Sequence, residues 1–208
     1  MPFSSRNGKD FTVEVVETLY RQCGERLAIL DLGAGSGTYP RLFAQSALVR
    51  ARCEWWGVEV WEPYVDRFGL RALYDTLLVA DIRDHAGALA PLPQRHFDLA
   101  IVGDVLEHIE VAEATALFRW LAGFCAHLLL SIPIKHYPQG EVDGNPYERH
   151  VVDDWSHARV LAWLDGEVRS AGAPCWSCAD CRCYRDVGVY VLANARAARA
   201  ALSSSASA

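Results

Sequence analysis

One stretch, "ILDLGAGSGTYP" from Ile29 to Pro40, restricts the fold more than any other. A short apolar run ends in an aspartate, and glycines then hold the alternate positions Gly33, Gly35 and Gly37 ahead of a segment with helical character. A strand that passes through a glycine turn into a helix is a recurrent nucleotide-binding device, because main-chain donors can approach the ligand closely. The spacing narrows the ligand. The dinucleotide pattern G-x-G-x-x-G needs a third glycine at 38 or at 40, and the chain has Thr38 and Pro40 there. G-x-G-x-G fits a cofactor without a pyrophosphate better.

The rest of the chain supports a parallel sheet covered by helices on both faces, since amphipathic windows alternate with short runs rich in Val, Ile and Leu. The expected order starts with a helix from Thr12 to Cys23 ended by Gly24, then a strand from Leu27 to Leu32. A helix from Tyr39 to Arg50 and a strand from Cys53 to Val60 follow. Next come a helix from Glu62 to Leu70, a strand from Thr76 to Ala80, a strand ending near Asp104 and a helix from Val111 to Phe124. The fifth strand, "HLLLSIP", exits at Pro133. A long loop covers about 134–155, and loops of that length in compact domains are usually functional. Ser156 caps a helix reaching roughly Ala171, and two runs separated by "RD" close the chain as an antiparallel hairpin. The expectation is an α/β fold, a Rossmann-like doubly wound seven-stranded mixed sheet. One domain covers 1–194, followed by an Ala/Ser-rich tail at 195–208.

Composition excludes several classes. A chain of 208 residues, 51% hydrophobic, suits one domain rather than two. The formal net charge of -6 argues against nucleic acid as the main partner, which demands clustered Lys and Arg. No apolar run reaches the roughly 20 residues needed to cross a bilayer, and the N-terminus lacks a signal-peptide core, so a cytoplasmic protein is expected. Seven cysteines, four of them bunched in "CWSCADCRC", do not read as a secreted disulfide framework. The bunch has enough thiols for zinc. Its separations of two, two and one residues, on one strand, are a poor fit to a tetrahedral site, so no metal site is assigned.

With "DLGAGSG" in place, the chain resembles the class I S-adenosylmethionine-dependent methyltransferases, in the small-molecule, type-11-like branch. Further motifs extend the likeness to roughly Ile109: Glu59 ends the second strand, "ADI" ends the third, and "GDVLEHI" closes the fourth. The resemblance implies S-adenosylmethionine as cofactor and S-adenosylhomocysteine as product. It implies that Gly33, Gly35 and Gly37 approach the cofactor and that Glu59 accepts from the ribose hydroxyls. Asp81 and Ile82 would meet the adenine, and Asp104 and Val105 the methionine and adenosyl parts. Asp31 either contacts the methionine amine through water or organises the glycine turn.

Methyl transfer from a sulfonium needs alignment and exclusion of water, and it needs a base only if the nucleophile starts protonated. His150 ranks first as base because the long loop should hang over the carboxyl end of the sheet. His108 serves either as a second base or as a packing residue that orders its motif. His136, Tyr137, Asn145, Tyr147 and Trp155 are the candidates for an acceptor wall, with the alternative that the aromatics pin the loop to the core. The expected activity is methyl transfer to an oxygen or nitrogen of a small molecule. A non-catalytic cofactor-binding module and a nicotinamide oxidoreductase are the rival readings, and the sequence leaves the oligomeric state open.

Overall fold

Residues 6–170 and 172–195 are described by a computed structural model. Their elements follow in the order α1 (Lys9–Gln22), β1 (Leu27–Leu32), α2 (Thr38–Phe43), β2 (Cys53–Glu59), α3 (Glu62–Arg67), β3 (Thr76–Val79), β4 (Phe97–Gly103), α4 (Val111–Leu121) and β5 (Cys125–Pro133). After the long loop come α5 (His157–Gly166), the small pair β6 (Arg169–Ser170) and β7 (Ala173–Pro174), then β8 (Trp176–Cys183) and β9 (Val187–Asn194).

The main sheet has seven strands in the order β3-β2-β1-β4-β5-β9-β8. The first five are parallel, β9 runs antiparallel to β5, and β8 pairs antiparallel with β9 and so runs in the direction of the first five. Alternation along the strands divides the core in two. Ile29, Leu99, Ile101 and Leu129 face one side, where Phe11, Val16 and Leu19 of α1 cover them. Leu30, Leu32, Ala100, Val102, Leu128 and Leu130 face the other, under Leu117, Phe118 and Leu121 of α4 and Val160 and Trp163 of α5. The expected doubly wound mixed sheet with a closing hairpin is therefore the observed one.

This order places a topological switch between β1 and β4, whose neighbours lie on opposite sides, and the crevice at their carboxyl ends is where such sheets bind ligands. The loops after β1, β2, β3, β4 and β5 all open there.

Several expected helices end earlier than the pattern suggested: α3 stops at Arg67 instead of Leu70 and α4 at Leu121 instead of Phe124, and α2 and α5 fall short by more. α2 ends at Phe43 instead of Arg50, because the Ser46 hydroxyl donates to the Phe43 carbonyl (2.7 Å) and the Ala47 amide donates to Glu17 of α1 (2.8 Å). Side chains thus replace the next helical bonds. α5 ends at Gly166 instead of Ala171. There the Arg169 guanidinium donates to the Asp165 carbonyl (2.7 Å), and the chain turns into β6 and β7 through Gly172 in the left-handed region. The tail read at 195–208 lies outside the described residues from 196 onward, as do residues 1–5 and 171.

Candidate active site

The glycine turn is left-handed at all three of its glycines, with φ of 77° at Gly33, 53° at Gly35 and 73° at Gly37. A side chain is rarely tolerated there. Space matters as well. A Cβ on Gly33 would lie 2.5 Å from Cγ2 of Val105, and one on Gly37 would strike Cδ1 of Leu73. The turn is therefore packed tightly against the protein's own side chains. Gly33 and Gly35 also line a cavity of about 400 Å³, whereas Gly37 is turned toward Leu73 and does not.

The cavity lies in the crevice and is walled by the ends of the central strands. Glu59 at the end of β2 is buried, with Oε2 accepting from the Gly35 amide (2.7 Å) and Oε1 from the Trp61 amide (2.8 Å). Burial pushes its carboxyl up to about 6, against the pull of those two amides. Asp81 after β3 is held by Arg83, whose Nε (2.8 Å), Nη2 (2.5 Å) and main-chain N (2.9 Å) all donate to it. Those hydrogen bonds keep it ionised and below the usual carboxylate range. Ile82 adds an apolar wall.

After β4, Asp104 takes a left-handed φ of 55° and Val105 packs under Gly33. Ser131 donates to Oδ1 of Asp104 (3.3 Å), while Oδ2 is buried without a partner. Asp31 is absent from the cavity wall. It is buried behind the turn, accepts from the Tyr74 hydroxyl (2.5 Å), and burial pushes it up to about 7.

The loop after β5 forms the far wall, with Tyr137, Asn145, Tyr147 and His150 joined by His108 from the turn after β4. Two main-chain bonds clamp this loop to that turn: the amides of Val151 (2.7 Å) and Val152 (3.0 Å) both donate to the Glu107 carbonyl. The His108 and His150 rings meet edge to face at 4.9 Å. Nδ1 of His108 lies 3.2 Å from the Arg149 carbonyl, and Nδ1 of His150 lies 2.5 Å from the Tyr137 carbonyl. A carbonyl only accepts, so each Nδ1 carries a proton and each Nε2 keeps a lone pair. Burial holds both imidazoles below the usual histidine range, hence neutral at pH 7. Asn145 shapes the wall from beneath, its side chain accepting from the Tyr147 amide (2.9 Å).

Two residues expected in this wall are elsewhere. His136 points to solvent, with its side chain 70% exposed and Nδ1 3.6 Å from Asp153. Trp155 is 2% exposed and packs against Trp163 at 5.5 Å, so it belongs to the core under α5. Alternation in an irregular loop does not reveal which side a residue takes. Conversely, Glu107, Tyr64, Lys135 and Gln139 line the cavity without having been singled out. Glu107 sits inside the quoted "VLEHI", beside His108, and that adjacency was the available signal. Of the four bunched cysteines Cys175 is buried and Cys178 and Cys183 are exposed, and they supply no converging ligand set among the described residues.

The residues present fit S-adenosylmethionine. The Glu59 carboxylate is an acceptor suited to a diol, Ile82 and Val105 supply apolar surface for a ring, and the unpartnered oxygen of Asp104 suits a cationic group.

Comparisons agree. Residues 30–122 match a family model described as a methyltransferase domain. Among solved structures, the N-terminal domain of EvdMO1 with S-adenosylhomocysteine bound aligns with a TM-score of 0.58 at 18% identity, over 92% of this chain and 82% of that one. Magnesium protoporphyrin IX methyltransferase from Synechocystis PCC 6803, also with S-adenosylhomocysteine bound, aligns with a TM-score of 0.57 at 19% identity, over 90% and 84%. The PH0226 protein from Pyrococcus horikoshii OT3 gives 0.58 at 15% identity, over 91% and 92%. At these identities the likeness is one of fold. No curated protein matches the chain. The matched segment begins within β1, takes in the glycine turn, Glu59, Asp81 and Asp104, and ends just past α4, so residues 30–122 are similar to a methyltransferase domain, and the chain shares its fold with structures that hold S-adenosylhomocysteine.

Proposed function

We propose that the chain transfers a methyl group to an oxygen or nitrogen of a small molecule. The observation that carries this reading is the two-sided cavity. One side has the glycine turn, Glu59, Asp81 and Ile82, and the other has Tyr137, Tyr147, His108 and His150. Bound S-adenosylmethionine would supply an electrophilic methyl group. The glycine turn, Glu59, Asp81, Ile82, Asp104 and Val105 bind and orient that cofactor, and the loop excludes water. Nε2 of His150, or of His108 beside it, accepts the proton of an acceptor that arrives protonated.

The acidic balance favours a metabolite, sugar or natural-product intermediate over nucleic acid. Residues 1–194 act as one domain in this reading, with the loop at 134–155 as its substrate segment. Seven cysteines whose spacing does not read as a secreted disulfide framework suit a reducing compartment, in this reading the cytoplasm. No helix among the described residues is long and apolar enough to cross a membrane.

The test pairs calorimetric titration of S-adenosylhomocysteine with transfer of a labelled methyl group to a panel of hydroxyl and amino acceptors. Binding together with transfer to at least one acceptor is the expected result. Binding with no transfer, and no slow cofactor turnover, would favour a non-catalytic module instead.

A further inference from the structure

The turn after β4 and the loop after β5 bring three ligand-type side chains together. One donor atom from each of Glu107, His108 and His150 lies within 4.8 Å of the others. Both imidazoles have Nδ1 set against a main-chain carbonyl, which fixes the tautomer and leaves Nε2 to bind. This is the outer-sphere arrangement that metal-ligating histidines use. Glu107 gives a second, independent sign. It is only 2% exposed, and its Oε2 is buried with no hydrogen-bond partner. An orphaned buried carboxylate oxygen costs stability and calls for an explanation. Asp104 and Glu148 add negative charge around Glu107.

We infer that Glu107, His108 and His150 form a binding site for one divalent cation of the first transition row, on the acceptor side of the cavity. Two imidazoles and one carboxylate suit zinc, iron or cobalt better than magnesium or calcium, and three protein ligands leave coordination positions open toward the cavity. Ligand atoms on a tetrahedral ion stand roughly 3.4 Å apart at bond lengths of about 2.1 Å. From separations of up to 4.8 Å the set closes by at most about 1.4 Å, to which the half-buried His150 on its loop can contribute. The site stands on its own geometry, and its role rests on the methyltransferase reading. An acceptor hydroxyl bound at an open position loses its proton to solvent more readily. Its oxygen then forms the bond to the methyl carbon as the carbon–sulfur bond breaks, leaving a neutral thioether. The histidine lone pairs then serve as ligands, and the acceptor becomes an oxygen nucleophile.

The test is a titration of chelator-stripped protein with Co²⁺ alone, followed by visible absorption, in a background carrying Cys178→Ser, Cys181→Ser and Cys183→Ser so that exposed thiols do not compete. One equivalent should bind, with d–d bands that Zn²⁺ displaces. His150→Gln and Glu107→Gln should each weaken binding at least tenfold, with circular dichroism confirming that they fold. Absence of stoichiometric binding, or binding unchanged in both variants, overturns the inference. Neither result bears on the methyl donor, whose binding is read separately by S-adenosylhomocysteine calorimetry.

Discussion

The Glu59 carboxylate accepts a hydrogen bond from the Gly35 amide at 2.7 Å, so this side chain joins the end of β2 to the glycine turn. Replacing it by glutamine keeps the shape and loses the charge and one acceptor. Glu59→Gln should weaken S-adenosylhomocysteine binding by about ten- to a hundredfold, the range of a lost charged hydrogen bond of roughly 1.5–3 kcal/mol. Calorimetry on the folded variant checks this.

Asp31 sits behind the same turn with Tyr74 as donor, Lys9 and Glu59 as the other charged groups acting on it, and its carboxyl pushed up to about 7 from 3.8. A raised native value means that the folded state holds the proton more tightly. This stability is fully present below pH 3.8 and is lost as pH rises through about 7. Between pH 5.5 and 7.5 the wild-type chain should lose about 2 kcal/mol relative to Asp31→Asn, because the asparagine does not titrate. Paired urea melts at the two pH values give the difference directly, and opposing contributions from His108 and His150 cancel in it.

Trp155 separates packing from binding. Trp155→Ala should cost about 3–5 kcal/mol, the usual range for emptying a buried aromatic site. Its indole nitrogen has no partner, so Trp155→Phe removes an unsatisfied donor and should cost far less. Both variants should bind S-adenosylhomocysteine as the wild type does where they remain folded, because the side chain does not reach the cavity.

Trp155 also marks where the sequence stops being legible. Regular elements announce themselves through period. A short, nearly continuous apolar run matches β1 over Leu27–Leu32 without error, and strand ends carry Glu59, Asp81 and Asp104 into one crevice because a parallel sheet aligns its carboxyl ends. Inside the loop after β5 no period exists. Its course is set by single bonds such as Tyr137 N to Asp153 O (2.9 Å) and Val151 N to Glu107 O (2.7 Å), between residues far apart in the chain. Tyr137 and His150 consequently reach the cavity while His136 and Trp155 do not. α2 failed to reach Arg50 for a similar reason, since its competitor was a Glu17 side chain from another helix.

The two loop histidines should behave oppositely. His150→Gln removes a lone pair at the acceptor wall and should lower kcat by about 10²–10⁴-fold with little change in cofactor affinity. His136→Ala should leave both within about twofold, as expected for an exposed side chain outside catalysis. Steady-state kinetics with the best acceptor from the panel, beside S-adenosylhomocysteine calorimetry, separates the two quantities.

The most direct measurement is a crystal structure of the chain with S-adenosylhomocysteine. The account predicts density in the crevice between the glycine turn and Asp104, with the ribose diol on Glu59 and the adenine beside Asp81 and Ile82. Density at another place on the molecule, or an empty crevice at saturating ligand, would contradict it.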